Sequence, residues 1–359
     1  MNDDFRPNWA SPPGDTIADI LHEKKLSVTE FASRINQPVQ VVNDLLQGRA
    51  TITIRLSRAL SGVLGGTPAF WVTRDSQYRG DSEPDDASVK GWLKQLPIGD
   101  MIRYGWLKPA PRAYEELEAL LSFFDVPSVS AWEHIYGRYA ELAAFRTSPT
   151  FESSPAAVAV WLRQGEREAE KVESKPWNPE RFRASLEEMR RLTLQRDPQK
   201  FLHRLGEISS ACGVAVIALR APSGCRASGA TKFLSDTKAL LLLSFRFLSD
   251  DQFWFTFFHE VGHLLLHGKN ATFIEGVDVD DSKPEREANE FAESVLIPNL
   301  YKNELLRLPN DLRAIMRFAK QIGTSPGIVV GQLQHYGRVR RNYFNSLKRR
   351  YEWSSTDEA

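Results

Sequence analysis

The chain has 359 residues, with 46 basic and 46 acidic side chains and a formal net charge of zero; 42 % of its residues are hydrophobic and 26 % charged. This length predicts two or three domains, and the composition excludes a largely disordered chain and a uniformly basic one, while leaving room for a local basic surface. No run of about 18 apolar residues exists, so no membrane span and no membrane partner are expected. The first 20 residues carry acids and prolines where a secretory leader needs an apolar core. Cys212 and Cys225 form no CxxC pair and fit buried free thiols in a reducing, cytoplasmic setting.

Helical patterning starts after Pro12-Pro13. The stretch from Leu26 to Arg49 reads as helix–turn–helix. Ser27, with Glu30 three residues later, makes a capping box for a first helix whose apolar face is Phe31, Ala32 and Ile35. Asn36 suits a left-handed turn position; Val41, Val42 and Leu45 pack the second helix, and Gly48 ends it. A further helix is predicted at Ile54–Leu64, before Gly65-Gly66. With Thr67-Pro68-Ala69-Phe70-Trp71 behind it, this segment resembles the Cro/C1-type, HigA-like antitoxin domain over about residues 12–79, inside a first domain placed at 1–80. The resemblance implies a double-stranded DNA operator as partner and, since Cro/C1-type domains often dimerise, a homodimer. Gln40 and Asn43 are able to read base edges, and Arg34, Arg49, Arg55 and Arg58 could meet phosphates. Where such domains often present Gln, Ser and Arg to the groove, this chain has Val28, Pro38, Val39 and Asp44. A helical module turned to protein contact is therefore the alternative.

Gly80 to Asp86 is polar, holds a glycine and a proline, and reads as a linker. A helical connecting domain is placed at 87–200, with helical runs at Arg112–Phe124 and Pro155–Glu173. Five of the nine tryptophans fall here (Trp92, Trp106, Trp132, Trp161 and Trp177), as expected of core or interdomain packing.

The third part, placed at 201–340, changes character. Residues 213–219 and 239–244 are short apolar runs bounded by breakers, which predicts strands. A long apolar helix from about Asp250 to His267 follows, then a polar loop and a second helix from about Glu285 to Leu296. The long helix carries His259-Glu260-Val261-Gly262-His263, an HExxH pattern. Residues four apart share a helix face, so the two imidazoles can close on one zinc ion at roughly 2.0–2.1 Å, with Glu260 beside the metal as a general base on water. The aromatic flanks Phe253, Trp254, Phe255, Phe257 and Phe258 require burial nearly all round, and buried histidines and glutamate need partners or a metal.

The third ligand is sought downstream. Leu266 and Lys269 stand where a metzincin needs Gly and His, and His267, eight residues past His259, lies about 12 Å up the helix and cannot reach the same ion. A glutamate of the following helix remains. Glu285, which places Asn289 one turn on to orient a histidine ligand, is favoured; Glu287 is the alternative, and Glu290 and Glu293 are expected in solvent.

The paired segments FTFFHEVGHLLLHG and EREANEFAESVLIP, with the later stretch from Gly323 to His335, resemble the ImmA/IrrE family of bacterial metallopeptidases over roughly residues 205–340. The resemblance implies an α+β zincin-like domain, a small twisted sheet over the metal helix, and thus a multidomain, mainly α chain. It implies His259, His263 and Glu285 as zinc ligands and Glu260 as the catalytic residue, with Asn289 standing where gluzincins usually have aspartate. It also implies a specific protein substrate, a repressor or antitoxin. His335 and Tyr336 are candidates for stabilising an oxyanion, with packing or capping as the equal alternative. The acidic loop Phe273–Lys283, with Glu275, Asp278, Asp280 and Asp281, reads as a solvated crossing, with a lid as the alternative. Arg338, Arg340 and Arg341, then Lys348, Arg349 and Arg350, are read as a solvated helix end, or as a nonspecific nucleic-acid contact, leading into a basic, partly disordered tail at 341–359. Together these readings predict a DNA-binding regulator with a zinc-dependent endopeptidase domain. The alternative is a non-proteolytic, HigA-like antitoxin or repressor whose metal domain is a sensor or structural module.

Overall fold

The computed structural model describes residues 11–80, 86–144, 153–268, 272–275 and 282–353. It is mainly helical, with one four-stranded sheet. The chain forms two compact units: Met1–Ala144 with Ser154–Arg163 and Pro222–Gly224, and Phe145–Ser153 with Gln164–Ala221 and Cys225–Ala359. None of the described helices is long and apolar enough to cross a membrane.

The first unit starts with α1 (Pro13–Glu23), α2 (Val28–Arg34), α3 (Val39–Leu46), α4 (Ile54–Leu64) and α5 (Pro68–Arg79). Local chemistry sets these boundaries. The Ser27–Glu30 capping box starts α2, Asn36 turns the chain at a φ of 50°, and Gly48 takes a φ of 70° just past α3. Ile17, Leu21, Phe31, Val42, Leu45, Leu56, Leu60 and Trp71 make a buried core, which sets the helix–turn–helix. After it come α6 (Asp86–Gln95), α7 (Ile98–Arg103), α8 (Ala113–Phe124), α9 (Val129–Ala144) and α10 (Pro155–Lys171), the last belonging to the second unit from Gln164 on. Aromatic rings fill their core: Trp92 meets Trp132 edge-on at 5.6 Å, and Phe124 meets Tyr136 at 5.1 Å. Trp92, Trp132 and Trp161 are buried and Trp106 and Trp177 half-buried, the packing role expected of them.

The second unit adds α11 (Pro179–Ala184), α12 (Leu186–Arg191) and α13 (Pro198–Ser210) before the strands β1 (Val214–Ala218), β2 (Gly229–Ser235) and β3 (Lys238–Leu243). Then come α14 (Asp250–Leu266), β4 (Phe273–Glu275), α15 (Lys283–Leu296), α16 (Lys302–Leu306), α17 (Leu312–Ile322) and α18 (Pro326–His335). The sheet order is β1-β3-β2-β4, with β1 parallel to β3 and the other pairs antiparallel. The apolar runs predicted as strands are β1 and β3. Strands β2 and β4 escape sequence reading: GATKFLS has no apolar run, and β4 has three residues.

Arg338, Arg340, Arg341 and Arg350 are exposed, as the solvated reading expects, but Lys348 and Arg349 turn inward. Lys348 Nζ lies 2.6 Å from the buried carboxylate of Asp251, the Arg349 N–H donates to Asp250 Oδ1 at 3.0 Å, and the Arg349 guanidinium donates to the Thr193 carbonyl at 2.8 Å. Tyr351 is buried against Phe201 and Phe245. This strap holds the N-terminal end of α14 in place. Residues 354–359, most of the 80–86 linker, and Asp278, Asp280 and Asp281 of the acidic loop lie outside the described residues. Both cysteines are free and buried, and burial pushes the Cys225 thiol up to about 12.

Candidate metal centre

Helix α14 is fixed before any ligand is considered. Asp250 and Asp251 occupy its first turn, where the helix dipole favours negative charge. Phe253, Trp254, Phe257, Phe258, Val261 and Leu264 all enter the core, and each large side chain so buried contributes about 1.5–3 kcal/mol. That anchoring leaves His259 2 %, Glu260 0 % and His263 1 % exposed. Helix α15 comes very close, because Gly262 has no side chain: a Cβ there would lie 3.1 Å from Ala288 Cα. Its neighbour Glu285 is thereby brought to both histidines.

His259 Nε2 and His263 Nε2 face each other at 2.9 Å. Glu285 Oε2 lies 3.1 Å from the first and Oε1 3.4 Å from the second. On the far side of its ring, His259 Nδ1 is 2.9 Å from Asn289 Oδ1. An amide oxygen only accepts, so His259 carries its proton on Nδ1 and turns a bare Nε2 lone pair inward. Burial would raise the Glu285 carboxyl, but its contacts with the two imidazoles outweigh it and hold the group at about 2, so it is a carboxylate. Burial pushes His263 down from its ordinary value, so it stays neutral near pH 7. Two imidazoles and a carboxylate thus converge in a buried site, where a cation satisfies them and an empty space does not. Their mutual distances are close to the roughly 3.3 Å edge of a tetrahedron with 2.0–2.1 Å ligand bonds. The group fits a metal ion, and it is the one His/Cys/Asp/Glu cluster found with that geometry among the described residues.

The Glu260 carboxylate lies against β2. A Cβ on Gly229 would sit 2.7 Å from Glu260 Oε1 and 2.7 Å from Thr256 Cγ2, so any side chain there would have to displace the carboxylate. Phe273 of β4, the residue that opens the acidic loop, stacks flat on the His263 ring at 4.0 Å and 11°. Neither Gly229 nor Phe273 was identifiable from sequence, since no motif marks a contact made across a sheet.

Other expected site residues lie elsewhere. The candidate third ligand Glu287 pairs with His267 at 3.1 Å, outside the cluster. Glu293, expected in solvent, is 16 % exposed at its side chain; it accepts from the Tyr336 hydroxyl at 2.5 Å and lies 3.3 Å from His335 Nε2. Among the described residues, neither His335 nor Tyr336 hydrogen-bonds to His259, His263 or Glu285. In the helix–turn–helix, Asp44 Oδ1 accepts from Arg49 at 2.6 Å and from Gln40 at 3.2 Å. Asn43 is half-buried, and the Arg55 backbone N–H donates to Asp125 Oδ1 at 2.8 Å, capping α4.

Residues 217–330 match the peptidase M78 family, described as the IrrE N-terminal-like domain. A further stretch is 35 % identical over 66 residues to the uncharacterized HTH-type transcriptional regulator YddM of Escherichia coli (strain K12), covering 18 % of this chain and 70 % of that protein. The M78 match spans α14, all of α15 and the first part of α18, and so contains all three converging ligands. The chain thus carries an IrrE N-terminal-like domain of the peptidase M78 family together with an N-terminal stretch similar to an HTH-type transcriptional regulator.

Proposed function

We propose that the chain is a DNA-binding regulator whose metal domain is a zinc-dependent endopeptidase cleaving one specific partner, a repressor or antitoxin. The observation that carries the peptidase reading is the buried trio of His259, His263 and Glu285 with Glu260 seated beside it on Gly229. His259, His263 and Glu285 would hold the zinc ion; bound there, it supplies Lewis acidity that polarises a scissile carbonyl and acidifies water. Glu260 then takes a proton from the attacking water and returns it to the departing amine. Asn289 keeps His259 in the ligating tautomer throughout. Helix α14 sits among aromatic rings that exclude bulk solvent, which strengthens each of these charge interactions. Incubating the zinc-loaded chain with the product of a neighbouring repressor or antitoxin gene tests the reading. One defined cut, abolished by a chelator and restored by zinc, is the expected result; an uncut partner under all conditions contradicts it.

The helix–turn–helix is assigned to a double-stranded operator, and the similarity to a transcriptional regulator supports this. Gln40 and Asn43 read base edges, while Arg49 and Arg55 lie at the backbone. Asp44 neutralises part of this surface, which lowers nonspecific affinity more than sequence discrimination. Replacing Asn43 by alanine is expected to cost about 1–3 kcal/mol on its own promoter fragment and little on random DNA. A mobility-shift titration at two salt concentrations checks this. Absence of any shift at low salt would make the domain a protein-docking module.

A further inference from the structure

Two residues that the ligand set leaves over are joined to each other. His267 is too far along α14 to share the ion, and Glu287 is the glutamate that does not reach it. His267 Nε2 lies 3.1 Å from Glu287 Oε2, and His267 Nδ1 lies 3.0 Å from His263 Nδ1. The roles follow from what each atom can do. A carboxylate oxygen accepts, so the proton on His267 sits on Nε2. The same ring in its neutral form then offers a bare Nδ1, which accepts the N–H of His263 Nδ1. His263 is left with its lone pair on Nε2, the atom that faces His259 and Glu285.

Resting on the peptidase reading above, we infer that Glu287 and His267 are positioning residues: a two-step hydrogen-bond relay that fixes His263 in its ligating tautomer. The surroundings hold the relay in one arrangement. His267 caps α14, with its backbone N–H on the His263 carbonyl at 3.1 Å, and Gly268 turns the chain away at a φ of 75°. Phe273 covers both rings, at 4.0 Å from His263 and 5.4 Å from His267. Lys283, one turn before Glu287 on α15, lies 3.5 Å from its other oxygen and keeps the carboxylate turned toward His267. The two ligand histidines are thus oriented differently. His259 leans directly on the Asn289 amide, whereas His263 reaches a carboxylate through a second imidazole.

The test uses the full chain with zinc alone, titrated against a chromophoric chelator, and long-range nitrogen–proton spectra of histidine-labelled protein without metal. His267→Phe keeps the ring stack and removes the acceptor, and should weaken zinc binding by about 10–100-fold, the usual cost of losing a group that orients a ligand histidine. The same variant should convert His263 from a single Nδ1–H form to a tautomer mixture. His267→Asn, whose amide oxygen can stand near the lost Nδ1, should restore both within a few-fold. Glu287→Ala, at a half-exposed position that leaves the core intact, should give a smaller weakening in the same direction. Wild-type affinity and an unchanged His263 tautomer in both His267→Phe and Glu287→Ala would overturn the relay. If the wild-type chain takes up no zinc, the peptidase reading fails, while the metal-free spectra still decide the relay.

Discussion

Glu260→Gln is expected to lower peptide hydrolysis by about 10²–10⁴-fold while zinc binding stays at the wild-type level. Glutamine keeps the shape of the side chain above Gly229 but cannot accept a proton from water. The metal set, by contrast, is complete without this residue, since His259, His263 and Glu285 lie within hydrogen-bonding distance of one another without it. A matched measurement of cleavage rate and zinc content on the same preparation therefore separates chemistry from assembly. Undiminished cleavage would remove Glu260 from the mechanism, and lost zinc would show that its role is structural.

Gly229→Ala makes the complementary case by geometry alone. The added methyl would lie 2.7 Å from both Glu260 Oε1 and Thr256 Cγ2, closer than carbon and oxygen tolerate. The carboxylate is the mobile partner and moves first. A displacement of about 1 Å at a reacting group costs on the order of 10²-fold in rate, and overpacking a strand against a helix costs about 1–3 kcal/mol in stability. The expected result is a folded, zinc-loaded protein with a lowered melting temperature and at most about one hundredth of the wild-type rate. Wild-type activity would mean that Glu260 is not held where the structure places it.

How far the sequence revealed this site depends on whether a contact is local or crosses the fold. His259, Glu260 and His263 share one turn-to-turn spacing on one helix, so their pattern alone implied a metal. Glu285 followed from its distance along the chain and from Asn289 one turn later. The same logic located α2 to α4, whose caps Ser27, Asn36 and Gly48 act within a few residues of themselves. Gly229, Phe273 and the His267–Glu287 pair act between segments that only the folded chain brings together, so no spacing rule finds them. The basic residues near the C-terminus are a sharper case. Charge counting read Lys348 and Arg349 as solvated, but both are spent on Asp251, Asp250 and the Thr193 carbonyl, anchoring the metal helix at its start.

Helix α14 and helix α15 matter most where they meet, and the content of that junction can be measured directly. Elemental mass spectrometry of the full chain, purified without added metal and then dialysed, should find one zinc per chain. His263→Ala and Glu285→Ala should each lose it, and the wild-type protein stripped by a chelator should take it up again. A wild-type chain that purifies without metal and cannot be reloaded with zinc would contradict the account at its centre.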